Sequence, residues 1–89
     1  MVLTKRMKQM LYFIATELDW GEMSSIELTQ EDNKQTVKAL VNRGFLEPED
    51  EVAGDAYIVQ LTEAGLQEAR KLDITKEPYI TSYITQYNY

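Results

Sequence analysis

Thr36-Val37-Lys38-Ala39-Leu40-Val41-Asn42-Arg43-Gly44-Phe45-Leu46 is the stretch on which the fold of this chain turns. Val37, Leu40 and Val41 stand at i, i+3 and i+4, the spacing that gathers apolar side chains on one side of an α-helix. Gly44 suits the left-handed residue that closes a helix, and the pair Phe45-Leu46 restarts the apolar pattern beyond it. The stretch predicts a helix from about Glu31 to Asn42, a sharp exit at Gly44, and then a strand. The opposite side of that helix carries Lys34, Gln35, Lys38 and Asn42, all long or polar hydrogen-bonding side chains, which makes them candidates for contact.

Downstream, the acidic run Glu47 to Asp55 reads as a solvated loop with Gly54-Asp55 as its turn. From Ala56 to Leu61, Tyr57, Val59 and Leu61 alternate with Ile58 and Gln60, so Phe45-Leu46 and this segment form a β-hairpin. Thr62 then caps a helix to about Leu72 that buries Ala64 or Ala69 with Leu66 and Leu72. Upstream, Thr4 caps a helix to about Asp19 in which Met7, Met10, Leu11, Ile14 and Leu18 build one apolar stripe, and Gly21 stops it. Lys5, Arg6 and Lys8 near its start oppose the helix dipole by some tenths of a kcal/mol, which the stripe outweighs. Ser24-Ser25-Ile26-Glu27 has the S-x-x-E form of a capping box, which predicts a short second helix starting there. The fold class expected is mainly α with a small β-hairpin, an α+β domain.

The 89 residues, 44% apolar and 27% charged, suit one soluble globular domain with a limited core. The longest apolar run, Met10 to Ala15, is far short of the roughly 20 residues that span a bilayer. No signal-peptide core is completed before Glu17 and Asp19, so a cytoplasmic chain without membrane contact is expected. Cysteine and histidine are both absent. Thiolate chemistry, cysteine-ligated zinc, the usual general base and the usual partner of a serine nucleophile go with them. The carboxylates show no convergent pattern and read as solvated surface charge. We therefore expect no enzyme, no metal and no cofactor.

The net charge of −6 is unevenly distributed. Met1 to Leu46 holds six bases (Lys5, Arg6, Lys8, Lys34, Lys38, Arg43) and six acids, and is neutral. Glu47 to Asp73 holds eight acids against Arg70 and Lys71, and carries the whole of the −6. A surface offered to phosphates must come from the first half, because the second repels them over a Debye length of about 8–10 Å.

The C-terminal residues 74–89 form a tail beyond a domain of residues 1–73. The tail contains Tyr79, Tyr83, Tyr87 and Tyr89 and repeats Tyr-Ile-Thr at Tyr79 and Tyr83. As a helix opened by Pro78 it stacks Tyr79, Tyr83 and Tyr87 beside Ile80 and Ile84; as a strand it puts tyrosine and threonine on one face. So much amphipathic surface calls for cover, either by packing on the domain's own helices or by dimerisation through these five residues.

The order helix, short helix, helix, hairpin, helix meets a known pattern. Thr36 to Leu46 resembles the end of the recognition helix and first wing strand of winged helix-turn-helix regulators of the MarR and PadR type. Leu61-Thr62-Glu63-Ala64-Gly65-Leu66 resembles the L-T-x-x-G segment by which those families leave the second wing strand. The resemblance covers about Thr4 to Leu72. It implies a third helix in the DNA major groove, a wing near the backbone, and a homodimer on a palindromic site. Lys34, Gln35, Thr36 and Lys38 then face DNA, with Gln35 suited to adenine, the lysines to guanine or phosphate, and Arg43 to phosphate. Lys5, Arg6 and Lys8 supply backbone contacts. Glu47-Pro48-Glu49-Asp50-Glu51 departs from the pattern, being acidic where DNA-binding wings present arginine or lysine. Two functions follow: a DNA-binding transcriptional regulator that reads double-stranded DNA with the third helix, or an acidic interaction module that takes a basic protein partner through Glu47 to Asp55.

Overall fold

The computed structural model describes residues 3–28, 34–51 and 57–82. Helix α1 (Lys5–Glu17) is capped by Thr4, whose Oγ1 accepts the Met7 amide at 3.2 Å. The expected stripe of Met7, Met10, Leu11, Ile14 and Leu18 is buried, and Phe13 and Ala15 are buried with it. Burying a side chain of this size stabilises by about 1.5–3 kcal/mol, so α1 anchors the core despite its basic first turn. The chain reverses after Leu18 through Asp19, Trp20 and Gly21, with φ of 51°, 54° and 103°. Gly21 is left-handed as its position suggested, but the turn begins two residues earlier, on residues that favour that region far less. Trp20 sits edge-on to Tyr12, with ring centroids 5.3 Å apart.

Ile26–Leu28 is a strand, β1, and not the start of a second helix. Ser24 and Glu27 have the residue types of a capping box, but Ile26, Glu27 and Leu28 alternate half-buried, exposed and buried, which is the period of a strand. Their backbone groups are taken by Val59, Ile58 and Tyr57 of a later strand. Residues 29–33, where the third helix was expected to begin at Glu31, lie outside the described residues. Helix α2 (Lys34–Asn42) buries Val37 and Leu40 and half-buries Val41. It ends in a Schellman arrangement: Gly44 (φ 79°) donates to Val41 O at 2.9 Å and Phe45 to Leu40 O at 3.0 Å.

Strand β2 (Leu46–Glu51) then pairs antiparallel with β3 (Tyr57–Leu61), giving the sheet order β1-β3-β2. The acidic residues from Glu47 to Glu51, read as a loop, are therefore strand. β2 lies at the sheet edge, where Glu47 and Glu49 face water and, among the described residues, its backbone pairs on one side only. Pro48 is opposite Val59 and Asp50 opposite Ile58, so Glu49 is an extra residue that bulges the strand. The Gly54-Asp55 turn lies outside the described residues.

The two sequence segments that set the fold lock onto each other. Thr62 caps α3 (Glu63–Arg70) by accepting the Gly65 amide at 3.0 Å. Its hydroxyl donates to Gly44 O at 2.6 Å, and its backbone N–H to Phe45 O at 3.1 Å. Gly65 faces the same carbonyl so closely that a Cβ would stand 2.0 Å from Phe45 O. The threonine and glycine thus fix the start of α3 against the exit from α2. α3 stops at Arg70, short of Leu72; Ala69 is fully buried, Ala64 is exposed, and Leu66 and Leu72 are half-buried.

Residues 78–81 fold back as a single 3₁₀ turn opened by Pro78 and pack on α1; the tail beyond residue 82, for which a helix and a strand were both expected, lies outside the described residues. Ile80 is fully buried, so this strap belongs to the packed body formed by the earlier elements. Tyr83, Ile84 and Tyr87 lie outside the described residues. The described chain is an α+β fold of three α-helices and a three-stranded antiparallel sheet, a layout compatible with a winged helix. Among the described residues, no helix is long and apolar enough to cross a membrane.

Candidate nucleic-acid interface

Burial of Val37 and Leu40 against the core turns the other side of α2 to solvent. Lys34, Gln35, Lys38 and Asn42 are all exposed, and Thr36 is half-buried at the margin of that face. Lys34 and Lys38, like Lys38 and Asn42, are four residues apart, and Gln35 precedes Lys38 by three, so these side chains neighbour one another along the helix. The face carries two cations and two amides with no carboxylate between them. Such a set can donate to phosphate oxygens and meet base edges.

The other candidate cations are placed differently. Arg43, expected on phosphate, folds back along α2: its Nη1 donates to Ala39 O at 3.2 Å, and its Nε is buried without a hydrogen bond. There it complements the carbonyl-rich end of the helix. Lys5 and Arg6 are exposed at the start of α1, but Lys5 Nζ lies 5.2 Å from the centroid of the Tyr79 ring. Lys8 is half-buried and ion-paired with Glu77.

Around that pair the strap makes a small polar network. Tyr79 Oη donates to Glu77 Oε1 at 2.8 Å; Gln9 Nε2 donates to Tyr79 O at 2.8 Å and to Ser82 Oγ at 2.9 Å. The hydrogen bond from Lys8, reinforced by that from Tyr79, holds the Glu77 carboxyl below its ordinary value, and the bond to Glu77 raises Lys8. Burial, with the bond to Glu77, raises the Tyr79 phenol. Of the residues expected at a dimer interface, Tyr79 and Ile80 are engaged within the chain by these contacts and by the core. Sequence reading missed Gln9 and Glu77. Glu77 meets Lys8, and Gln9 meets Tyr79, across about seventy residues, and no local pattern marks such pairs.

The β2–β3 hairpin carries exposed Glu47 and Glu49, and Gln60 Nε2 donates to Glu49 Oε2 at 3.1 Å. Its surface is therefore acidic at Glu47 and Glu49, whereas exposed cations lie on α2 and at the start of α1. Among the described residues, no group of carboxylates is disposed to hold a metal ion. Comparisons with protein-family models, with curated proteins and with solved structures find no match.

Proposed function

We propose that this chain is a winged helix-turn-helix domain that binds double-stranded DNA through α2, as a regulator of transcription would. The observation that carries this reading is the exposed face of Lys34, Gln35, Lys38 and Asn42, free of carboxylates among the described residues of α2, on the helix that leads directly into the hairpin. The sheet order β1-β3-β2, with a helix entering β2 and a hairpin returning to the centre, supports the winged arrangement. In this reading Gln35 and Asn42 address base edges, Lys34 and Lys38 address guanine or phosphate, and Arg6 adds a backbone contact.

Fluorescence anisotropy with a labelled mixed-sequence duplex at about 50 and about 200 mM salt tests it, because phosphate contacts appear as salt-dependent affinity. Binding that weakens with salt and disappears on reversing both charges, Lys34→Glu with Lys38→Glu, is the expected result. Absence of binding at the lower salt refutes the proposal.

A second reading, an acidic module for a basic protein partner, is favoured by one specific arrangement. Lys8 and Arg43 are turned inward while Glu47 and Glu49 face solvent. It takes the lead if the duplex does not bind.

A further inference from the structure

We infer that Glu77 is an internal competitor for phosphate, holding Lys8 at the basic start of α1 neutralised until the carboxylate is displaced. The inference rests on the DNA-binding reading and adds its regulation. Three cations stand within the first four residues of α1. Glu77 occupies the Lys8 ammonium, and the Tyr79 ring lies near the exposed Lys5 ammonium, so Glu77 and the strap touch two of the three.

The Glu77 carboxylate presents to Lys8 what a phosphodiester would present, an anionic oxygen at hydrogen-bond distance. A single ammonium cannot serve both at full strength. Displacement does not require the strap to leave. Ile80 stays buried, and Gln9 holds the Tyr79 carbonyl and the Ser82 hydroxyl whatever the charge at Glu77. The switch is therefore a change of partner at one side chain within a folded domain, and what releases it is a high local density of phosphate.

Glu77→Gln tests this in the full chain, since the amide keeps the side-chain shape and an oxygen acceptor while removing the charge. Thermal melting verifies the fold of each variant before titration. The duplex affinity of Glu77→Gln is expected to rise about five- to tenfold near 0.1 M salt, and its log–log salt slope to steepen by about 0.9, the signature of one added phosphate contact. The gain should vanish in Glu77→Gln with Lys8→Gln, and should exceed that of Glu22→Gln, an exposed acid in the turn between α1 and β1.

If wild type binds and Glu77→Gln does no better than Glu22→Gln, the competition is refuted while DNA binding stands. A gain that persists in the double variant also refutes it, because the added contact is then not Lys8. If neither wild type nor Glu77→Gln binds, and reversing Lys34 and Lys38 changes nothing, both the competition and the DNA-binding reading fall.

Discussion

Replacing Gly65 by alanine is expected to destabilise this protein by about 1–3.5 kcal/mol, although the same change inside most helices stabilises. Glycine in a helix interior ordinarily costs about 0.5–1 kcal/mol relative to alanine. Here the added Cβ would stand 2.0 Å from the Phe45 carbonyl oxygen, where real contacts stay beyond about 3.0 Å. The obstacle is backbone, so relief requires the exit of α2 and the start of α3 to separate by about an ångström, as the difference between those two distances requires. Overpacking of this kind costs about 1–3 kcal/mol, and sometimes more. The Thr62 N–H to Phe45 bond at 3.1 Å stretches with it, adding about 1 kcal/mol. Against the helix-propensity gain the net is about 1–3.5 kcal/mol, a fall in Tm of roughly 5–25 °C for a domain of this size. Circular-dichroism melts and urea titrations of wild type, Gly65→Ala and Gly44→Ala measure it. Gly44 is the control: its φ is 79°, but nothing lies within 4 Å of its Cβ position, so its cost is conformational alone, about 1–2 kcal/mol. A Gly65→Ala variant as stable as wild type would refute the reasoning.

Three further outcomes are expected. Ile80→Ala removes a fully buried side chain and should cost about 2–4 kcal/mol by urea titration; a loss below about 1 kcal/mol would mean that the strap does not share in the folding unit. The Glu77 contribution to stability should be fully present above the unfolded carboxyl value of 4.5 and be lost as pH falls through the lower folded value. Wild-type and Glu77→Gln melting temperatures should therefore differ near neutrality and converge only as pH falls below 4.5 and through the lower folded value, as that direction of shift requires. At the alkaline end Lys8 and Tyr79, both raised, contribute stability up to their unfolded values of 10.5 and 10.0 and lose it as pH climbs through the higher folded ones. Asp19→Gly should stabilise by about 0.5–1 kcal/mol, because Asp19 is exposed with φ 51°; a drop in Tm would show that its side chain contributes something the backbone argument omits.

The parts of the fold that sequence made legible are those governed by local periodicity. The stripe from Met7 to Leu18, the caps at Thr4 and Thr62 and the close of α2 at Gly44 all depend on residues within a few positions of one another. Ser24 to Glu27 misleads because a cap needs only residue types, while β1 exists through pairing with Ile58 and Val59 more than thirty residues away. The acidic β2 was hidden for a related reason: glutamate and proline have low strand propensity, and an edge strand with one paired side tolerates them. Of the candidate site, the polar face of α2 was legible from its spacing, and the structure leaves it exposed. The inward turn of Arg43 and the capture of Lys8 were not, since both follow from where a side chain's partner lies in space.

The irregular outer border of the hairpin determines how this sheet meets another. Pro48 offers no N–H to a newcomer, and the surplus residue at Glu49 interrupts the even spacing that an incoming strand would have to match. Glu47 and Glu49 add repulsion toward any neighbour of the same sign. The border on β2 thus ends the sheet, and a second copy arriving there finds no template to extend. Crowded chains are in this way steered away from strand-by-strand polymerisation at β2, and contact with a partner on this side of the molecule is left to side chains.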